Sequence, residues 1–525
     1  MADTFRKVPE APTNPHTVGR PKSFDVADLY DGPLAKADPS AAGSLPLDEK
    51  LRQAYFWIVN NAIISPYYDI EYNAGAVQSF TFGDEKCTVT LPSDQSYSSY
   101  VLLPLLNLAA RRRCLLVGGP GRGKTAIAML LAVLAGYPLR EIKRAIQHGQ
   151  PQMTISDLLG NPLPSALVSA KSSEDIKISW RKWLAMRVKI VDEYNRIPTR
   201  TQSALLTVMA DNYAEVLDQV FECPESSWYL TANDDAGEGT YQVIEALRDR
   251  IDVVVKALHF NTRFLGSLLQ RIEAGFKPEE IVPGEITFTE SEVDRMNREI
   301  LDVKLVPGLR RRIEFFASHF EFCEQGGHQI EYRTKDTVKL AGVDLQLLMG
   351  AASGKDRVRD LGTQTRNGLS VRALMTSLVF VKAMAFFRGV RTVGFEDVRQ
   401  MLPFVLHDKL AQNPDSPWFD EPGNAVFRID RIGWLRRLFD LSCAEFDRLG
   451  RETEDPVAAL EAEFEKGLEG LPEPQVRARL VRIERLLGEW SKGRKLYGHM
   501  FDDLLKLKYL HQRYTNYLKW LQWKT

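Results

Sequence analysis

Cysteine is scarce in this 525-residue chain: Cys87, Cys114, Cys223, Cys323 and Cys443 are scattered, with no Cys-x-x-Cys pair. That spacing indicates neither a disulfide framework nor a thiolate zinc site. The eight histidines include no His-Glu-x-x-His, which removes the helical zinc-hydrolase signature. The longest nearly uncharged runs, near Ala126–Leu139 and Leu374–Ala383, fall short of the ~20 residues a membrane-spanning helix needs. The N-terminus, MADTFRK, lacks the apolar core of a secretory signal. A basic excess is missing too: 68 Lys and Arg against 69 Asp and Glu leave a net charge of -1, whereas proteins that coat nucleic acid carry surplus cations. There is no internal repeat. These absences predict a cytoplasmic protein without a membrane span, and make nucleic acid an unexpected partner.

What is present is globular, with 44% hydrophobic and 26% charged residues and a length of roughly three domains at about 150 residues each. Residues 1–50 are rich in Pro, Ala, Gly and Ser without periodicity, which predicts a flexible arm. Leu51–Ile64 reads as an amphipathic helix and Phe80–Leu91 as two short strands. From Tyr100, strands (Cys114–Val117, Glu141–Gln147, Val188–Val191, Trp228–Thr231, Ile251–Ala257) alternate with helical segments such as Thr125–Ala135. That alternation predicts an α/β domain over 51–261, its parallel sheet covered by helices. Beyond Asn261 the helical patterns at Arg263–Ala274, Glu290–Asp302, Leu309–Cys323 and Val371–Arg388 predict an all-α domain over 262–410, with Gln329–Asn367 a less regular insertion. Three prolines and a glycine mark 411–425 as a linker, and 411–525 reads as a helical appendage with a partner or assembly role.

Gly118-Gly119-Pro120-Gly121-Arg122-Gly123-Lys124-Thr125 matches G-x-x-x-x-G-K-[ST], after a strand (CLLV) and before an apolar helix (AIAMLLAVLAG). Glycines there let successive backbone N–H groups turn toward phosphate oxygens, and the helix N-terminus adds its positive dipole. Lys124 is placed to reach the β- and γ-phosphates, and the Thr125 hydroxyl to ligate Mg2+. ATP and Mg2+ are therefore the expected cofactors. Hydrolysis needs more: a second carboxylate on the metal side and a group that orients water. Val188-Lys189-Ile190-Val191-Asp192-Glu193 ends an apolar strand in both, Asp192 for magnesium and Glu193 for the water. Asn233, at the end of Ser227-Trp228-Tyr229-Leu230-Thr231-Ala232, reads either as a contact to the γ-phosphate or lytic water, or as the cap of the next turn.

These motifs together resemble the AAA+ ATPases, specifically the MoxR family of the helix-2-insert clade. The stretches that carry the resemblance are GGPGRGKT, VDEYNRIPTRTQSALLTVM (Val191–Met209), EGTYQVIEALRDRID (Glu238–Asp252) and GLSVRAL (Gly368–Leu374), spread over about 100–410. The resemblance implies a P-loop AAA+ core followed by a helical lid. It likens Asn233 to the sensor-one residue, Arg250 to the arginine finger that reaches a neighbouring subunit's nucleotide (with Arg248 a rival), and Arg372 to the sensor-two arginine. It further implies a homo-oligomeric ring of six subunits that remodels or matures a protein client, with a von Willebrand A domain protein as the expected partner. The alternatives carried beside it are a nucleotide-gated assembly scaffold and a nucleic-acid motor. The pattern departs from the family at Asn233-Asp234, where Asn-Pro is usual, and at Trp180-Arg181-Lys182-Trp183, where Gly-Pro is usual.

Four other signals have simpler readings. Asp94-x-Ser96-x-Ser98 spells a von Willebrand A metal motif, but without the preceding apolar strand it reads as a helix start. Trp180–Trp183 reads as packing at a hairpin base rather than a peptide or base grip. Arg111-Arg112-Arg113 reads as a solvated face. The aromatic and basic terminal segment Tyr497–Trp523 reads as burial against preceding helices, with a docking platform as the other possibility.

Overall fold

The computed structural model describes residues 45–83, 87–163, 176–233, 245–257, 259–345, 348, 359–453, 455–492 and 495–524. Most of the expected arm 1–50 lies outside them. Five parallel strands build the central sheet: β1 (Arg113–Val117), β2 (Gln147–His148), β3 (Val188–Asp192), β4 (Ser227–Ala232) and β5 (Val253–Lys256), in the spatial order β5-β1-β4-β3-β2. The inner strands are continuous apolar runs because both faces are covered, as parallel sheets require: Cys114, Leu116, Val191 and Leu230 are fully buried. Helices Ser99–Ala110 and Lys124–Leu134 pack on the sheet. This is the α/β class read from the sequence. The register sets Ala232 beside Val117 and Leu230 beside Val191, so β1, β3 and β4 finish at one edge.

Several local expectations change. Glu141–Gln147 is not a strand: Leu139–Ala145 is a helix that buries Ile142 and Ala145 at i and i+3, and only Gln147–His148 joins the sheet. The helix start after Asp94 does occur, at Ser99, yet its cap is Asp69, which accepts from the Ser99 N–H at 2.8 Å and hydroxyl at 2.7 Å. Arg111–Arg113 is not a solvated face. Arg111 pairs with Asp294 and, at 3.7 Å, with Glu225; Arg113 grips the Met209 carbonyl at 2.8 and 3.1 Å and Asp252 at 3.3 Å. Trp183 is 1% exposed, donates to the Leu158 carbonyl at 2.7 Å and meets Trp228 edge to face, while Trp180 rests on Phe221. Both tryptophans pack locally, as read.

Two compact units divide the chain, Met1–Lys304 with Leu378–Gln400, and Leu305–Ser377 with Met401–Thr525. The division departs from the expected boundaries at 261 and 410 because helix Glu290–Leu301 belongs with the sheet. Its Glu292 pairs with Lys50 at 3.0 Å and its Asp294 with Arg187 at 3.0 Å, above a buried Ile286 and Phe288.

In the second unit, helices Pro307–Ser318 and Arg431–Arg448 pack together, and Pro456–Glu465, Glu473–Trp490 and Gly498–Lys524 share a core of Leu460, Val476, Ile483, Leu507, Leu510 and Tyr514. The linker expectation for 411–425 fails. Trp418 and Phe419 are buried, and Asn413 bonds the Gln364 and Thr363 carbonyls at 2.8 and 3.0 Å. Two aromatic side chains outweigh three prolines.

His319 and His499 meet in this unit with ring centroids 5.1 Å apart, both packed on Phe315. His319 Nε2 and His499 Nδ1 are buried without a hydrogen-bond partner among the described residues. Burial, then Arg451 and Arg448 against the opposing pull of Glu445, brings His499 down to about 4; burial and His499 hold His319 well below its ordinary value. A depressed folded-state value means the unfolded chain takes up the proton first. The stability from neutral rings is thus complete above about pH 6.5 and lost as pH falls toward 4, on the order of 3 kcal/mol for His499. We expect His499→Phe to flatten the fall in melting temperature between pH 7 and pH 5. An unaltered acid slope in that variant would contradict the account.

Candidate nucleotide-binding site

The loop Gly118–Thr125 leaves the end of β1 and enters helix Lys124–Leu134. Gly121 and Gly123 hold φ of 72° and 73°, a left-handed turn that side-chain-bearing residues adopt only under strain. The turn is pressed against the segment after β5: a Cβ on Gly118 would stand 2.9 Å from the Ala257 carbonyl oxygen, and Arg122 donates to that same oxygen at 3.1 Å.

Lys124 lies at the centre of a hydrogen-bond chain. Its Nζ donates to the Gly118 and Gly119 carbonyls at 2.6 and 2.8 Å and to Asn233 Oδ1 at 3.0 Å. Asn233 Nδ2 donates to Glu193 Oε1 at 3.0 Å, and Arg196 Nη1 stands 3.2 Å from Glu193 Oε2. The parallel register makes this meeting possible, because Asn233 follows the strand lying between β1 and β3. A second chain runs beside it. The Thr125 and Thr231 hydroxyls both donate to Asp192 Oδ1 at 2.6 Å, while His148 Nδ1 lies 3.3 Å from Asp192 Oδ2. The Glu193 N–H donates to Thr231 Oγ1 at 2.9 Å, which pins the acidic turn to β4.

Pro120–Ala126, Asp192, Glu193, Thr231 and Asn233 line one pocket of about 220 Å³. Gly118 and Gly119 contribute carbonyls to Lys124 rather than pocket wall. Next to it opens an apolar cavity of about 440 Å³, which shares Arg122, Gly123 and Ala126 and takes in Ile63, Ile64, Tyr100, Leu268, Ile272 and Phe276. Arg250 ends the helix Glu245–Arg250 and is not part of the wall of either pocket. The side chain of Arg248 and the stretch Glu238–Tyr241 lie outside the described residues. Arg372 is exposed near the start of helix Val371–Phe387, in the second unit.

Sequence reasoning passed over Thr231, His148 and Arg196 as site residues, along with the apolar cavity. Arg196 stood inside a quoted motif without a role, and Thr231 carried a signal in its place one residue before the strand end; His148 carried none. The donor set suits a polyphosphate with a hard divalent ion. Lys124 and the glycine-loop residues Gly121 and Gly123 line the pocket, and one hydroxyl and one carboxylate, Thr125 and Asp192, converge within 2.6 Å. Among the described residues no cluster of three or more His, Cys, Asp or Glu exists that would cage a metal alone. Two protein oxygens plus phosphate is how magnesium is usually held. None of the described helices is long and apolar enough to cross a membrane.

Residues 113–253 match the profile of the ATPase family associated with various cellular activities (AAA). Chaperone MoxR1 of Mycobacterium tuberculosis is 25% identical over 317 residues, 59% of this chain and 71% of that protein. The uncharacterized protein YeaC of Bacillus subtilis is 30% identical over 151 residues, 28% of this chain and 43% of that one. A crystal structure of a candidate ATPase from Cytophaga hutchinsonii superposes with a TM-score of 0.45 at 20% identity, covering 64% of this chain and 88% of its own.

Proposed function

Since this chain is a MoxR-like AAA+ ATPase, we propose that it hydrolyses ATP in the pocket around Lys124 and uses the cycle to remodel a protein client. The observation that carries the reading is the single connected chain Lys124–Asn233–Glu193 beside Thr125–Asp192. Glycine-loop N–H groups and the helix N-terminus hold the phosphates. Lys124 turns from the loop carbonyls to the β- and γ-phosphates, and the apolar neighbouring cavity receives the base. Thr125 and Asp192 would hold Mg2+, which supplies charge neutralisation across the phosphates. Glu193 takes a proton from water as its oxygen attacks the γ-phosphorus, the bridging P–O bond breaks, and ADP and phosphate leave. Asn233 orients that water once it lets go of Glu193.

In this proposal the sheet with the segments that pack on it, Glu290–Leu301 included, is the nucleotide-binding domain, the helical region that carries Arg372 is the lid that brings it to the γ-phosphate, and 411–525 is the partner-facing region. Arg250 acts in trans, so head-to-tail contacts close a homo-oligomeric ring, which we propose to be a hexamer working in the cytoplasm with a von Willebrand A domain partner.

The test is complementation between two inactive proteins. Arg250→Ala lacks the finger and Glu193→Gln lacks the base. If the finger acts in trans, mixing them pairs an intact base with an intact finger at about a quarter of sites, and turnover returns to about that fraction of wild type. A mixture as silent as its components places Arg250 in its own subunit's site and removes the shared-site ring.

A further inference from the structure

The terminal helix Gly498–Lys524 has a face that serves the core and an outer stripe, whose first two members, Tyr509 and Arg513, also rest on Phe464 of the helix Pro456–Glu465 at 6.0 and 5.7 Å. Leu507, Leu510 and Tyr514 are buried against the two preceding helices. The outer stripe runs Tyr509, Arg513, Asn516, Trp520 and Trp523, all exposed, with Trp523 at 84%. Tryptophan has much to lose in water, so two of them on the outer side of a helix are not explained by folding. Their arrangement is ordered: Trp520 stacks on Tyr517 with centroids 5.6 Å apart, and the Arg513 guanidinium lies 5.9 Å from the Tyr509 ring.

The spacing along the stripe is four, three, four, three. That is the heptad seam of a helix that packs against another helix, running about 21 Å from Tyr509 to Trp523. A polar Asn516 within such a seam is the device that fixes register. The charge selects the partner. Residues 504–525 contain five cations (Lys506, Lys508, Arg513, Lys519, Lys524) and no carboxylate, in a chain whose net charge is -1. Lys506 and Lys508 are paired with Glu461 and Glu331; Arg513 and Lys519 have no carboxylate partner among the described residues. A second copy of the same seam would set cation against cation. Nucleic acid fits less well, because two of the cations are already neutralised and a convex helix offers no groove for a phosphate track.

We propose that this outer face docks an acidic, amphipathic helix of another protein, with Trp520 and Trp523 as the buried anchors and Arg513 and Lys519 meeting its carboxylates. The proposed face shares no residue with the nucleotide pocket and does not depend on how ATP is used.

The probe is a fluorescein-labelled three-heptad peptide with Leu at the a and d positions and Glu at e and g, titrated with the full chain at low salt and followed by anisotropy. Its lysine counterpart and a labelled oligothymidine serve as comparators, and sedimentation reports self-association. We expect the acidic peptide alone to bind, added salt to weaken it, and Trp520→Ala/Trp523→Ala to weaken it about tenfold or more while turnover and helical circular dichroism stay unchanged. No binding of the acidic peptide, or equal binding by the variant, overturns the proposal. So does oligothymidine binding that depends on the two tryptophans, which makes the face a nucleic-acid platform. An oligomer that dissolves in the variant overturns it too, by making a second copy the occupant.

Discussion

Glu193→Gln is expected to bind ATP as well as the wild type does and to hydrolyse it roughly 10²–10⁴-fold more slowly, the range a lost general base produces. Glutamine keeps the size of the side chain, and its carbonyl oxygen still accepts from Asn233 Nδ2, the bond now 3.0 Å long. What it loses is the capacity to hold a proton, together with the attraction of Arg196, now 3.2 Å away on a pair that is about a third or more exposed and so contributes little to stability. The two readouts separate cleanly: fluorescent-nucleotide binding should be retained, and phosphate release should nearly stop. Hydrolysis within threefold of wild type would mean that another group activates the water.

Lys124→Ala acts one step earlier and should abolish binding under ordinary assay conditions. In this structure the ammonium donates three hydrogen bonds, to two loop carbonyls and to Asn233, and is 7% exposed. Phosphate oxygens must compete for that same group. Losing a hydrogen bond to a charged group costs about 1.5–3 kcal/mol, which is a roughly 10–150-fold weaker complex before the loop relaxes. Ligand binding to the folded state stabilises it by RT ln(1 + L/Kd), with L the free ligand concentration, and so raises the unfolding temperature. Wild-type protein should therefore melt higher with ATP and magnesium, and the alanine variant should melt at the same temperature with or without them. An equal upward shift in both proteins would show that the loop amides bind phosphate without the lysine.

The phosphate loop was legible in the sequence because its chemistry is contiguous. Gly121 and Gly123 are required by the left-handed turns they adopt, and Lys124 and Thr125 follow directly. The acidic pair was legible for the same reason, as two polar residues ending an apolar strand. Asn233 depended on the resemblance, since its meeting with Lys124 follows from the pairing of β4 with β1, a contact between residues 109 apart. The apolar cavity had no local signature, because its walls come from 62–64, 100 and 268–279. Composition misled at 411–425, where Trp418 and Phe419 turn a proline-bearing stretch into packed structure. It misled again at Arg111–Arg113, where a run of like charges proved to be divided among separate carboxylates and a carbonyl. In each case the deciding partner was distant in sequence.

The backbone at Glu193 has φ of 52°, in the left-handed region, at a cost of about 1–2 kcal/mol that glycine or asparagine would largely avoid. A laboratory selection for thermostability that ignores turnover should thus enrich Gly or Asn at position 193, and the winners would be catalytically dead. Any effort to evolve a hardier version of this protein needs an activity screen running alongside the heat challenge, because at this one residue the two pressures point in opposite directions.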